Sequence, residues 1–400
     1  MRPTERVTSA LVPLGSLLLT LLTGCAEVKP ITCALAPASP MGAIPTGEIA
    51  AEVFWDNSMS MRAFYTKSGP YEVIGHGMEA DILPAAGIFK FKHSYVAEGV
   101  ESSPRFHEPT FAGRYTDLLT AAQEMAKATQ DPSRGVAILV SDLLVDTTPE
   151  QRASTDEVCG TTLPSGNKPP SLHFARCFGY ALERGVPSTA FASVVRVPLR
   201  GNAMYALVTA RSPEVGRPVV ERLLSATASW GSSELRIVDT TGSDTLVGEA
   251  TCTSTAADPV YMGSRAPGKT PRCEFRFRKA DSHRLACTTT IQRSSSGLIQ
   301  SHPQSVAQEG QAAGLDETGA FQLDVAHRSG PVAVNVRTAY VPPDMSQLDP
   351  QILQFVTGSV DPAVVPTNDQ QSVARVIGGL IPVLAELIPP EHSAWSIQYQ

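Results

Sequence analysis

A chain of 400 residues with a net charge of -7 and no cluster of Lys and Arg excludes a general nucleic-acid binder, which needs a basic patch to neutralise phosphate. The length suits about two domains at ~100–200 residues each. Seven cysteines without a Cys-x-x-Cys pair and eight histidines scattered singly exclude the usual zinc spacings.

Arg2 and Arg6 precede an apolar stretch from Ala10 to Leu22, which ends in Leu22-Thr23-Gly24-Cys25. This is the tripartite form of an export signal, and the apolar stretch is shorter than the roughly 20 residues that cross a bilayer as helix. The last four residues resemble the lipobox of bacterial lipoproteins. The resemblance implies removal of residues 1–24, lipidation (palmitate) of Cys25, and a lipid-anchored place in the cell envelope. Ala26 rather than Asp after the cysteine implies the outer membrane. An exported protein has an oxidising environment for Cys33, Cys159, Cys177, Cys252, Cys273 and Cys287. Spacing suggests Cys159 with Cys177, and Cys252 with either Cys273 or Cys287, and leaves the connectivity open.

Residues 25–47 are rich in Pro, Ala and Gly and read as a lipid-anchored tether. From 48 to 228 short apolar runs alternate with helical periods, the pattern of an α/β domain with a mostly parallel sheet and helices on both faces. Val53-Phe54-Trp55 ends a first strand, and Val136-Ala137-Ile138-Leu139-Val140 is a run of the kind buried on both faces. Between them Leu118, Ala121, Ala122, Met125 and Ala126 mark an amphipathic helix over Asp117 to Ala128. Phe174, Cys177, Phe178, Ala181 and Leu182 mark a second helix. Strands at Phe191 to Val197 and Tyr205 to Val208 follow, then a helix from Val215 to Leu224 with Pro218 in its first turn.

Residues 229–400 read as a mainly-β, sandwich-like domain with a C-terminal helical segment. Its six candidate strands are Glu234 to Val238, Gly248 to Thr253, Cys273 to Arg278, Leu285 to Ile291, Phe321 to Val325 and Val332 to Tyr340. Val373 to Ile388 is apolar but carries Arg375, Pro382 and Glu386, so it reads as a packed helix kinked or broken near Pro382, not a membrane span.

The chemistry lies just after the first strand, in Asp56-Asn57-Ser58-Met59-Ser60-Met61. Alternate spacing lets one carboxylate and two hydroxyls converge where the chain leaves the sheet, and the crevice beyond the carboxyl ends of strands is where open α/β sheets bind ligands. Asp142 follows the second strand, and Thr116 stands at the start of the first helix. Two carboxylates and three hydroxyls suit a hard divalent cation, Mg2+ first, with Mn2+ or Ca2+ as alternatives. With side chains pointing out of the sheet, Asp56 and Ser58 should be replaceable without loss of the fold.

These residues resemble the metal-ion-dependent adhesion site (MIDAS) of von Willebrand factor type A (vWA) domains, in which Asp-x-Ser-x-Ser is followed by a Thr before a helix and an Asp after a buried strand. The matching positions are Asp56, Ser58, Ser60, Thr116 and Asp142. Met59 and Leu143 depart from the pattern, standing where Gly is usual. The resemblance implies a Rossmann-like vWA domain over 48–228. In it Ser58, Ser60 and Thr116 hold Mg2+ directly or through water, Asp56 and Asp142 act through coordinated waters, and a protein partner presents an acidic residue to the metal.

The expectation is therefore a metal-dependent protein-binding lipoprotein and not an enzyme. A metal-free scaffold of an envelope assembly is the first alternative and a metal-dependent hydrolase the second. Against the hydrolase, there is no Gly-x-Ser-x-Gly elbow and no histidine in a strand-end motif. His76 reads as an exposed turn residue and His173 as a cap or surface residue.

Overall fold

The computed structural model describes residues 33–37, 49–97, 99–111, 113, 116–131, 134–145, 159, 170–183, 189–199, 201–240, 246–254, 284–293, 297–308, 311–314, 320–326, 332–361, 363–388 and 391–399.

Strand β1 (Cys33–Pro37) leads to β2 (Ala50–Trp55), helix α1 (Pro70–Gly77), β3 (Lys90–Tyr95), β4 (Glu101–Ser103), α2 (Leu118–Gln130), β5 (Val136–Ser141) and α3 (Pro170–Glu183). After these come β6 (Phe191–Leu199), β7 (Asn202–Ala210), α4 (Pro213–Ala226) and β8 (Ser233–Asp239). Seven of the strands form one sheet in the order β4-β3-β2-β5-β7-β6-β8. Every residue of β5 is buried, and its side chains serve two cores in alternation. Ala137 and Leu139 face the side covered by α2 and α3, while Val136, Ile138 and Val140 face the side with Tyr71 and Ile74 of α1 and Val219 and Leu223 of α4. Helices thus cover both faces, as an apolar run without polar alternation requires.

The sheet is mixed rather than mostly parallel. β2 runs parallel to β3 and β5, but β5 with β7, β7 with β6, β6 with β8 and β3 with β4 are antiparallel. The reason is connection length. The chain passes from Leu199 to Asn202 in a tight turn with Gly201 at φ 92°, and a turn that short can join only antiparallel neighbours.

The helix expected over Val215 to Leu224 starts earlier, with Ser212 as N-cap, so Pro218 falls in its second turn and not its first. Gly216 lets this helix lie against β6: a Cβ there would meet the Phe191 ring at 2.2 Å. The helix expected over Asp117 to Ala128 runs from Leu118 to Gln130, with Asp117 as its N-cap, the carboxylate accepting from Thr120 N at 3.2 Å.

The later half comprises β9 (Leu246–Ser254), β10 (Arg284–Arg293), β11 (Gln300–Gln308), β12 (Gln311–Gly314), β13 (Ala320–Ala326), β14 (Val332–Val341), α5 (Met345–Thr357), α6 (Asn368–Leu387) and β15 (Glu391–Tyr399). Two antiparallel sheets form here, one ordered β1-β15-β14-β11-β12 and one β13-β10-β9. The strand expected at Cys273 to Arg278 lies outside the described residues.

Three pieces pack elsewhere than their sequence neighbourhood suggested. Glu234 to Val238 is part of β8, which closes the seven-stranded sheet. The two C-terminal helices join the first core: Ile352 and Val356 of α5 and Val376, Ile377, Leu380 and Ile381 of α6 are buried in the same cluster as Phe174 and Phe178 of α3. Part of the expected tether, Cys33–Pro37, is an edge strand paired with β15. Pro382 lies inside α6, which is one helix and not two. Among the described residues, no helix is long and apolar enough to cross a membrane.

Candidate functional site

Asp56 is the first residue past β2, and its N–H donates to Val140 O at 2.9 Å, which extends the parallel pairing one step. That step sets Asp56 beside Ser141 at the carboxyl ends of neighbouring strands. The Asp56 side chain is fully buried. Its Oδ1 accepts from Ser58 N at 2.9 Å and Thr116 Oγ1 at 3.1 Å, and its Oδ2 accepts from Ser141 Oγ at 2.7 Å. Tyr71 OH donates to the Asp56 carbonyl at 3.1 Å.

The second hydroxyl stands next to the first, with Ser58 Oγ 2.9 Å from Ser60 Oγ. Ser58 opens the 3-10 turn Met59–Ala63, which turns the chain back and leaves Ser60 exposed. Thr116 reaches the site because its loop is tied to both sides of it. Ser58 bridges Gly113, Met59 N donates to Gly113 O at 3.1 Å, and Asp117 N donates to Val96 O at 2.9 Å.

Asp142 is nearly buried and accepts from Leu144 N at 3.0 Å, an Asx turn that orients the carboxylate. Leu143 N donates to Ser141 Oγ at 2.9 Å. Leu143 itself has φ 57°, the left-handed conformation in which a glycine costs nothing and a leucine about 1–2 kcal/mol. Its fully buried side chain offsets that strain, which is how a non-glycine residue occupies this place.

The predicted residues therefore converge. Asp56, Ser58, Ser60 and Thr116 form one hydrogen-bonded group, and Asp142 shares a cavity of about 230 Å3 with Ser60. Arg196, Tyr205 and residues of α6 also line this cavity.

Burial pushes the Asp56 carboxyl above its ordinary range, and the hydrogen bonds from Ser141, Ser58 and Thr116 pull the other way. Among the described residues those bonds come from neutral groups, and none brings a positive charge to the buried Asp56 carboxyl. A hard cation in the crevice would supply that charge, and the oxygens of Ser58, Ser60, Thr116, Asp56 and Asp142 are donors of the matching kind. Among the described residues no three of His, Cys, Asp or Glu gather as a metal-binding group, so a cation here would depend on the hydroxyls. Burial also pushes the Tyr205 phenol up to about 12, with the Arg196 guanidinium opposing and Asp142 adding to the shift.

Other sequence readings are corrected or extended. His76 is exposed as expected but lies inside α1 rather than in a turn, with its ring edge-on to Phe106 at 5.3 Å, and His173 is buried inside α3 rather than at the surface. Cys159 and Cys177 form a disulfide with Cα atoms 4.7 Å apart. Cys252 and Cys287 stand directly opposite in the β9–β10 register, and Cys33 begins β1. Cys25 and Cys273 lie outside the described residues.

Sequence reasoning missed Ser141, although it adjoins Asp142. Its alternation within β5 reads as one more buried position, and only the sheet register shows it facing Asp56. It also missed Arg196, whose Nε donates to Val356 O at 3.0 Å and Nη2 to Thr357 O at 3.3 Å, at the end of α5. Comparison of the chain with family models, with curated proteins and with solved structures found no match.

Proposed function

We propose that this chain is a lipid-anchored envelope lipoprotein whose α/β half is a vWA-like module that binds a divalent cation, Mg2+ first, and through it an acidic residue of a protein partner. We read the two small antiparallel sheets as a sandwich-like companion unit and the chain as a binding protein rather than an enzyme. The observation carrying the metal reading is the convergence of Asp56, Ser58, Ser60 and Thr116 at the carboxyl end of β2, beside the Asp142 cavity. Ser58, Ser60 and Thr116 would hold the cation, with Asp56 and Asp142 behind its coordinated waters. When bound, the cation offers a coordination position to a carboxylate.

Within the chain, Asp56 orients the hydroxyls. The Thr116 proton is committed to Asp56 Oδ1, so the oxygen lone pairs of Thr116 remain for a ligand. Ser141 holds the other carboxylate oxygen and keeps Asp56 from swinging away.

The metal-free scaffold is the second reading, favoured by the same carboxylate. Ser58, Thr116 and Ser141 already give Asp56 three donors, which is enough to hold it without a cation.

Calorimetric titration of Mg2+ and Mn2+ into the mature protein in detergent separates the two readings. The metal site predicts saturable binding that weakens at least about tenfold in Ser60→Ala, an exposed position whose loss spares the fold. Absence of binding at millimolar metal would leave the scaffold.

A further inference from the structure

The smaller antiparallel sheet brings two cysteines together. It has three strands, with β10 between β13 and β9. The β9–β10 register runs unbroken from Leu246 opposite Arg293 to Ser254 opposite Leu285, and it sets Cys252 directly opposite Cys287. Residues directly opposite in an antiparallel pair share a face of the sheet, with Cα atoms about 4.5–5.5 Å apart. A disulfide needs Cα atoms about 4.4–6.8 Å apart, so the backbone register by itself meets that requirement. A slip of one residue would put the two cysteines on opposite faces.

The register also identifies the face. Leu323 of β13 stands on the other side of Cys287, so one row crosses the sheet from Cys252 through Cys287 to Leu323. Leu285, Ile291, Phe321 and Val325 fall on the same face by alternation, whereas Thr251, Thr288, Gln322 and Asp324 fall on the other. The cysteines therefore sit mid-row on the apolar face. A cysteine there has an ordinary use as a small hydrophobe. That accounts for either one alone but not for two in register, in a chain whose Cys159 and Cys177 are already joined. A three-stranded sheet is also near the lower limit of what holds together unaided, so a covalent tie has something to do.

We propose that Cys252 and Cys287 form a cross-strand disulfide that staples β9 to the central strand of this sheet. The bond forms by thiol–disulfide exchange with a disulfide oxidant. The thiolate of one cysteine attacks a sulfur of the oxidant and displaces one of its thiolates. The second cysteine then attacks that mixed disulfide and displaces the other. Two cysteine thiols are oxidised by two electrons, the oxidant is reduced to two thiols, and these take up the two cysteine protons. Cys252 and Cys287 enclose a longer stretch than Cys159 and Cys177, which are 18 residues apart, so the bond restricts the unfolded chain more. Two other cysteines compete for Cys252: Cys33 begins β1, which lies against β9, and Cys273 belongs to the connection from β9 to β10.

The test is a disulfide map of the full mature protein, incubated with glutathione disulfide, alkylated at any remaining thiols and digested with trypsin without reductant. Cleavage after Arg265, Arg272 and Arg284 puts Cys252, Cys273 and Cys287 in three separate peptides. The expected product is the Cys252 peptide joined to the Cys287 peptide. Alkylated Cys252 and Cys287, or Cys252 joined to Cys33 or Cys273, would overturn the proposal. The staple is read by amide hydrogen exchange in the double variant Cys252→Ala, Cys287→Ala. Exchange in β9 and β10 is expected to quicken about tenfold or more while β5 keeps its protection. Unchanged exchange in β9 and β10 would refute the stapling role, and the map of the parent decides the bond even if the variant does not fold.

Discussion

Asp56 acts as much inside the fold as at its surface. The sequence placed it on a loop leaving the sheet, where replacement should be harmless. In the structure it is fully buried and accepts from Ser58 N, Thr116 and the fully buried Ser141. Asp56→Ala would leave those donors facing an apolar methyl, so it is expected to cost about 2–4 kcal/mol without any metal present. Asp56→Asn keeps an acceptor oxygen and should cost less than half as much. Urea unfolding of both variants without divalent cations checks this, and equal stability of Asp56→Ala and parent would refute the buried role. Leu143 is legible in the same way. The sequence showed a leucine where the resembled family has glycine, and the structure shows the left-handed backbone that explains the glycine preference.

At the scale of elements, the β2–β3 pair encloses a titratable group that sequence reading passed over. His93 stands opposite Val53 in the parallel register and is fully buried. Trp55 Nε1 donates to its Nδ1 at 2.8 Å, so the neutral ring carries its proton on Nε2, which lies 3.3 Å from Glu79 Oε1. Burial lowers the His93 pKa to about 4, against 6.5 ordinarily, although Glu79 opposes the shift. Between those values the unfolded chain takes up a proton that the folded one does not. Stability from this group is complete above about pH 6.5 and is lost as the pH falls toward about 4. The loss is on the order of 2–3 kcal/mol at pH 4.5. Comparing urea midpoints at pH 7 and 4.5 for the parent and His93→Gln isolates it. An equal pH dependence in both proteins would show that His93 is not the group responsible.

At the scale of the whole molecule, the chain crosses its own apparent boundary. Ile299 donates to Ile237 O at 2.9 Å, which lays the start of the later half along the edge strand β8, and α5 and α6 complete the core over α2 and α3. A core residue of α6 should therefore stabilise distant helices. Ile377, fully buried in that cluster, is expected to cost about 2–5 kcal/mol when cut to alanine. Amide hydrogen exchange is expected to show lost protection in α2 and α3 together with α6. Loss confined to α6 would mean that the C-terminal helices open as a separate unit.

Local pattern was enough for the elements and for the oxygen-rich constellation. Hydrophobic period distinguishes strand from helix, and polar groups spaced by two just past a strand end up at one sheet edge. That is why β2, β5, α2 and α3, and the set Asp56, Ser58, Ser60 and Thr116, were visible before any coordinates. Only tertiary structure decided strand direction, the placement of β1, β8, α5 and α6, and the contacts made by Ser141, His93 and Arg196. Each of these depends on contacts between residues far apart in the chain. Apolar faces match one another by shape and area rather than by sequence label, so a segment's own pattern says that it must be buried but not against what.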